Sequence, residues 1–225
     1  MGTSSARRAP TTWLWRRAKG AATRYLAPDG GFGLEAREVV ARYLAALGED
    51  TGPESQGLLA SFRLTRKAGQ NLGAFADTAA SRGWDAALKE CGITGEAGKS
   101  GDIAAPLLAG ALLEADGGLE DAVAHSSLAA VLQDYDSLKQ GDTAQLVTRF
   151  LAESIYQRLV LDLGDPLEAA TLNYSHWRQG LDGLKSWIAG AGAAADQPPP
   201  ENWRGLAGWN WVTLVLGKIM VRLLE

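Results

Sequence analysis

A chain of 225 residues, 46% apolar and 21% charged, has the size and composition of one globular body with a buried core. Its net charge of −4 argues against wholesale binding to nucleic acid, yet the charge is uneven, because Arg7, Arg8, Arg16, Arg17, Lys19 and Arg24 all precede the first acidic residue, Asp29. The lone cysteine, Cys91, excludes an internal disulfide and a cysteine-based zinc cage, and it points to a reducing, cytoplasmic setting.

In chain order, residues 1–33 read as a basic N-terminal arm and residues 34–225 as a helical domain. After the loop Ala27-Pro28-Asp29-Gly30-Gly31, the positions Ala36, Val40, Tyr43, Leu44 and Leu47 form one helical stripe that stops at Gly48. Leu58, Leu59 and Phe62, then Leu72, Phe75, Ala76 and Ala79, predict two shorter helices. Trp84, Ala87, Leu88 and Cys91 continue the rhythm to Gly92. A turn-rich connection over 92–102 leads to a short buried helix from Pro106 to Leu113. Leu119, Val123, Leu128, Val131 and Leu132 suit another.

Asp142 reads as the N-cap of a long helix that carries Phe150, Leu151, Ile155, Leu159 and Leu163 and ends at Gly164. Asp165, Pro166 and Glu168 then read as the start of the next one. Its stripe runs Leu167, Ala170, Tyr174, Trp177, Leu181, Leu184 and Ile188. Gly180 and Gly183 interrupt it, each about 1 kcal/mol less favourable than alanine. A small-residue and proline-rich loop over 190–203 follows. The last helix repeats the spacing at Trp209, Val212, Leu216, Ile219 and Leu223. Strand alternation is absent from the pattern, so the expectation is an all-α bundle with a flexible arm.

No export signal shows, because arginines and Lys19 break every apolar run between Ala9 and Leu26. Lys218 and Arg222 likewise make Leu206–Leu224 a core helix rather than a membrane anchor. Gly98-Lys99-Ser100 ends like a phosphate-binding loop, but Ile93 stands where the motif needs glycine. Cys91 with His125 reads as a buried thiol and a helix-face imidazole rather than a nucleophile and its base, since a catalytic pair is defined by geometry. His176, between Tyr174 and Trp177, reads as a helix-face residue too. Trp177, Trp187 and Trp209 read as core. Trp13 and Trp15 interleave with arginines, either to stack on single-stranded nucleic acid or, as the net charge favours, to anchor the arm.

Loss of Met1 exposes Gly2, whose α-amine has a pKa of about 7.7–8 and is unhindered by any side chain. Arg7 and Arg8 suit a phosphate or carboxylate on a partner. Myristoylation wants serine or threonine at position 6, where the chain has Ala6. On composition alone, Gly2-Thr3-Ser4 equally reads as an ordinary disordered start.

Four segments carry a resemblance. They are Met1-Gly2-Thr3-Ser4; Lys67-Ala68-Gly69-Gln70-Asn71-Leu72-Gly73; Gly118-Leu119-Glu120-Asp121-Ala122-Val123-Ala124 with Leu128-Ala129-Ala130-Val131-Leu132; and Phe150-Leu151-Ala152-Glu153-Ser154-Ile155-Tyr156-Gln157-Arg158-Leu159. Together they resemble the B component of the bacterial Qat anti-phage defence system and related proteins, over most of residues 57–164 and the first four. The resemblance implies a non-enzymatic protein encoded beside a QueC-like enzyme, with a defence ATPase and a TatD-like nuclease as further operon partners. A QueC-like enzyme activates the carboxylate of 7-carboxy-7-deazaguanine with ATP and normally delivers ammonia to it. The implied reaction puts the Gly2 amine in place of ammonia, with Thr3 and Ser4 as recognition positions. ATP and the deazaguanine belong to the partner, so no cofactor or metal is expected in this chain. The rivals are an unmodified helical adaptor for a defence ATPase and a nucleic-acid contact through the basic arm.

Overall fold

Helical spacing governs the sequence, and helices govern the fold. The computed structural model describes residues 12–27, 34–49, 55–94, 101–113, 117–133, 142–171 and 173–225, and within them every regular element is an α-helix. In chain order they are α1 (Trp13–Tyr25), α2 (Ala36–Glu49), α3 (Ser55–Ala60), α4 (Arg63–Arg82), α5 (Trp84–Glu90), α6 (Gly101–Ala111), α7 (Leu119–Leu132), α8 (Thr143–Ala169), α9 (Tyr174–Ala193) and α10 (Leu206–Leu224).

The longest helix, α8, is the axis of the bundle and touches α1, α4, α7, α9 and α10. Its start is capped as expected, with the Asp142 carboxylate accepting from the Ala144 N–H at 2.7 Å. Phe150, Leu151, Ile155, Leu159 and Leu163 are fully buried along it. It does not end at Gly164. It runs through Asp165 and Pro166 to Ala169. A proline inside a helix removes one backbone hydrogen bond, but Leu163 and Leu167, on either side, are both fully buried and hold the helix against its neighbours. The break falls instead after Ala170, and Asn173, not Asp165, caps α9 by accepting from the His176 N–H at 2.9 Å.

The two short helices expected here are both present, as α3 and as the longer α4 over residues 63–82, and Gly83 separates α4 from α5 with a φ of 91° that side-chain-bearing residues avoid. The first turn of α4 has no side-chain cap of its own. The Glu120 carboxylate, from α7, accepts from the Leu64 and Thr65 N–H groups instead. A negative group at the N-terminus of a helix both satisfies orphan donors and opposes the helix dipole.

Half of the segment read as an arm belongs to the bundle. In α1, Trp15, Ala18, Ala21 and Ala22 are buried, followed by Leu26, and the helix packs on α2 and α8. The arginines occupy the other face. Its seat explains Gly180 and Gly183 of α9. A Cβ at Gly180 would lie 2.0 Å from Leu26 Cδ2, and one at Gly183 would lie 2.5 Å from the Tyr25 hydroxyl. That hydroxyl donates to the Gly180 carbonyl at 3.0 Å.

The tryptophans divide unlike the expectation. Trp15, Trp203 and Trp211 are the buried ones, whereas Trp187 is 39% exposed and Trp177 and Trp209 are half-buried. The stretch after α9 is a pinned strap: Trp203 is buried in it, and the Pro198 carbonyl accepts from the Trp211 indole at 2.7 Å.

Candidate functional site

Gly2, Thr3, Ser4, Arg7 and Arg8 lie outside the described residues, as does Gly98-Lys99-Ser100. What the structure does define is the root from which residues 1–11 depart. Thr12 caps α1, and its hydroxyl donates to Glu49 Oε2 of α2 at 2.6 Å. Trp15 meets Tyr43 edge-on at 5.9 Å, a favoured geometry for two rings. Tyr43 in turn donates to Asp162 Oδ2 at 2.9 Å, and Arg158 Nε donates to the same oxygen at 2.9 Å. Burial, followed by the Asp162 charge, pushes the Tyr43 hydroxyl well above the ordinary phenol range, so it stays a neutral donor. The root is therefore tied through α2 to the central helix.

Trp13 and Trp15 have separate tasks. Trp15 anchors α1, while Trp13 is 59% exposed with the Arg17 guanidinium 4.6 Å from its ring centre. Arg16 and Arg24 are also exposed, which leaves α1 with a cationic outer face.

Of the four segments quoted for the family resemblance, the three that lie within the described residues come together in space, since α4, α7 and α8 pack on one another. Gly69 lets α4 approach α8, with the position of its absent Cβ 3.4–3.5 Å from Phe150 and Leu151. Gly73 admits the Trp203 ring, 2.1 Å from where a Cβ would stand. Gln70 Nε2 donates to the Trp203 and Gly205 carbonyls at 3.0 and 2.7 Å, and Asn71 Nδ2 donates to the Leu112 carbonyl at 2.9 Å. These bonds hold the strap and the end of α6 onto α4.

Between them lies an open cleft of about 910 Å³, with Lys67, Phe75, Cys91, Trp203 and Trp209 among its walls. Arg204 crosses its end, donating to Thr78 at 3.2 Å and pairing with Glu90, which Arg82 also pairs. Those two arginines, with Arg204 the stronger influence, hold the Glu90 carboxyl below its ordinary range. Gln70, Asn71, Glu120 and Trp203 are structural residues that spacing alone does not reveal. The glycines at 69 and 73, one helical turn apart, were the available signal of a close approach.

Cys91 and His125 lie at different elements. Cys91 follows α5 and is half-buried, and burial, then the Glu90 charge, pushes its thiol up and away from the thiolate. His125 lies on the exposed side of α7. Among the described residues, no three His, Cys, Asp or Glu side chains gather to hold a metal ion, and no helix is long and apolar enough to cross a membrane.

The fold and its internal clamps define an all-α helical bundle in which the polar residues of α4 bind neighbouring segments. A family model described as Qat anti-phage system associated protein QatB matches residues 55–207, about two thirds of the chain and the whole of the α4–α7–α8 unit. The chain belongs to the QatB family and so to the proteins of an anti-phage defence system. No curated protein and no solved structure matches it.

Proposed function

We propose that this QatB-family protein is a non-enzymatic acceptor, modified at its N-terminus by a QueC-like partner. After removal of Met1, the Gly2 amine attacks the carbonyl carbon of a deazaguanine acyl-adenylate formed on the partner from 7-carboxy-7-deazaguanine and ATP. The new C–N bond is an amide, AMP leaves, and the amine gives up its proton to solvent or a partner base. The observation that carries this reading is the family match, joined to the resemblance of Met1-Gly2-Thr3-Ser4 to the family's start. The root supports it. A leash that must thread another protein's tunnel needs a fixed base, and Thr12, Trp15 and Tyr25 supply one.

Thr3 and Ser4 offer short hydrogen-bonding groups behind the reacting amine, and Arg7 and Arg8 suit anionic groups at the tunnel mouth. Intact mass of the protein co-produced with its operon partner tests the reading. The expected result is loss of Met1 and one deazaguanine-sized increment, located on Gly2 by fragmentation. Gly2→Val abolishes the increment and leaves the helical circular dichroism unchanged. An unmodified chain beside a demonstrably active partner refutes the proposal.

A second reading has one observation in its favour, the exposed Trp13 and arginines of α1. It is a contact with single-stranded nucleic acid. Binding that weakens steeply with salt and is lost on replacing Arg16, Arg17 and Trp13 together distinguishes it.

A further inference from the structure

Helix α10 is apolar on two sides. Val212, Val215, Leu216, Ile219 and Leu223 are fully buried against the bundle. On the other side Leu214 is 47% exposed, Val221 56% and Leu224 48%. Leu214, Gly217, Lys218, Val221 and Leu224 follow one helical stripe, whose single charge, Lys218, is drawn to the Gln197 side-chain oxygen at 2.6 Å, and a Cβ at Gly217 would meet open space. This outer stripe forms one wall of a groove of about 1310 Å³, closed by Leu44 of α2, Leu58 and Leu59 of α3, and Leu14 of α1. Contiguous exposed apolar surface of this kind marks an interaction site.

The groove adjoins the root of the arm. Leu14 stands two residues after Thr12, and Glu49, which holds the Thr12 hydroxyl, is on the groove's border. Residues 1–11 precede Thr12, which stands beside the groove. Their sequence, Met-Gly-Thr-Ser-Ser-Ala-Arg-Arg-Ala-Pro-Thr, is polar and doubly cationic, the wrong chemistry to fill an apolar channel. The chain from Gly2 to Thr12 spans at most about 33–36 Å when fully extended. Whatever reacts with Gly2 must come within that distance of Thr12, beside the groove.

We propose that this groove is the docking site of the enzyme that modifies Gly2, which seats an apolar helical ridge between α3 and α10. The inference rests on the acceptor function proposed above. Docking beside Thr12 turns capture of the N-terminal tip into an intramolecular event, with an effective concentration that for short linkers reaches about the millimolar range. The enzyme then recognises the body, and the tip needs only to be thin and nucleophilic.

The test compares three substrates of the purified partner at low micromolar concentration, read by mass spectrometry: the full chain, its L214E/V221E variant, and a synthetic peptide of residues 2–11. The expected result is that the variant keeps its helical circular dichroism and melting temperature. Its modification falls at least tenfold, to the level of the free peptide, through a raised KM. Leu214→Met restores the native rate. Equal modification of the variant and the native chain overturns the docking site while leaving the Gly2 chemistry standing. A peptide as good as the full chain overturns docking on the body altogether. Self-association of the native chain that L214E/V221E abolishes, with modification unchanged, assigns the groove to a second copy and overturns the proposal. Failure of the native chain itself to be modified refutes the underlying function instead.

Discussion

The two concavities of this bundle are built on opposite principles. The cleft over α4 is walled by polar groups already committed to the protein's own backbone: Gln70 to the strap, Asn71 to α6, Arg204 to Thr78 and Glu90. The groove along α10 is walled chiefly by leucine, valine and methionine side chains, with polar groups such as Glu49, Thr213 and Lys218 bonded to the protein at its margin. A buried polar group left without its partner is penalised heavily, so the first region is rigid and intolerant of change. Exposed apolar side chains lose little on substitution, so the second region is free to serve a partner. The lesson is that the clefts' chemistry, rather than their size, separates structural from interacting surface.

Substitutions sharpen this contrast, the largest effect first. Gly208→Ala places a Cβ 2.1 Å from the Trp203 carbonyl oxygen, which is backbone and can yield only by moving the strap. The expected loss is about 3 kcal/mol or more, seen as a lowered midpoint in urea unfolding. Gly180→Ala clashes just as closely on paper, at 2.0 Å, but with the tip of the Leu26 side chain, which can rotate. It is expected to lose at most about 1 kcal/mol. Equal effects of the two would break the distinction between strap and root. Gln70→Ala removes both bonds to the strap and leaves the Trp203 and Gly205 carbonyls without that donor. It is expected to lose about 1–3 kcal/mol, with faster hydrogen exchange in residues 203–205.

The smallest effect is a pH dependence at Glu120. Burial is the largest influence on its carboxyl and raises it above the ordinary range, against the Thr65 and Leu64 N–H groups and Arg63, which lower it. The folded state therefore holds this proton at pH values where the unfolded chain has released it. The contribution of Glu120 to stability accordingly declines as pH rises above the ordinary carboxylate range. Glu120→Gln keeps an oxygen for the same N–H groups and removes the titration. Melting temperature followed across this rise should show a shallower pH slope in the variant. An identical slope would show that the α4 cap does not carry the titration.

The parts legible in sequence were those set by local chemistry. The Asp142 cap, the α2 stripe through Val40, Tyr43, Leu44 and Leu47, and the α10 stripe from Val212 to Leu223 follow from side-chain spacing, and each is buried as that spacing requires. The segments that carry the family resemblance were legible as words before their meaning was visible. Less legible was α1, whose arginines mask a buried face of Trp15, Ala18, Ala22 and Leu26 at helical intervals. Trp187 misled in the other direction. Tryptophan suits both core and surface, and nothing near it in sequence told which face it would take.

By itself, then, the sequence determined that the chain is helical, which residues the α2 and α10 stripes bury, and that basic residues precede Asp29, whereas Tyr174, read into a buried stripe, is 70% exposed. Only the tertiary structure decided where helices stop and which loops are fixed. Gly164, Asp165 and Pro166 spell a helix boundary locally, yet burial of Leu163 and Leu167 carries α8 past it. The strap at 194–205 looks like a loose connection until Gln70 reaches it from the remote α4 and Trp211 folds back on it from the adjoining α10. Local propensity is worth about 1 kcal/mol per residue or less outside proline. A buried leucine or a clamped carbonyl, available only when remote segments meet, outweighs it.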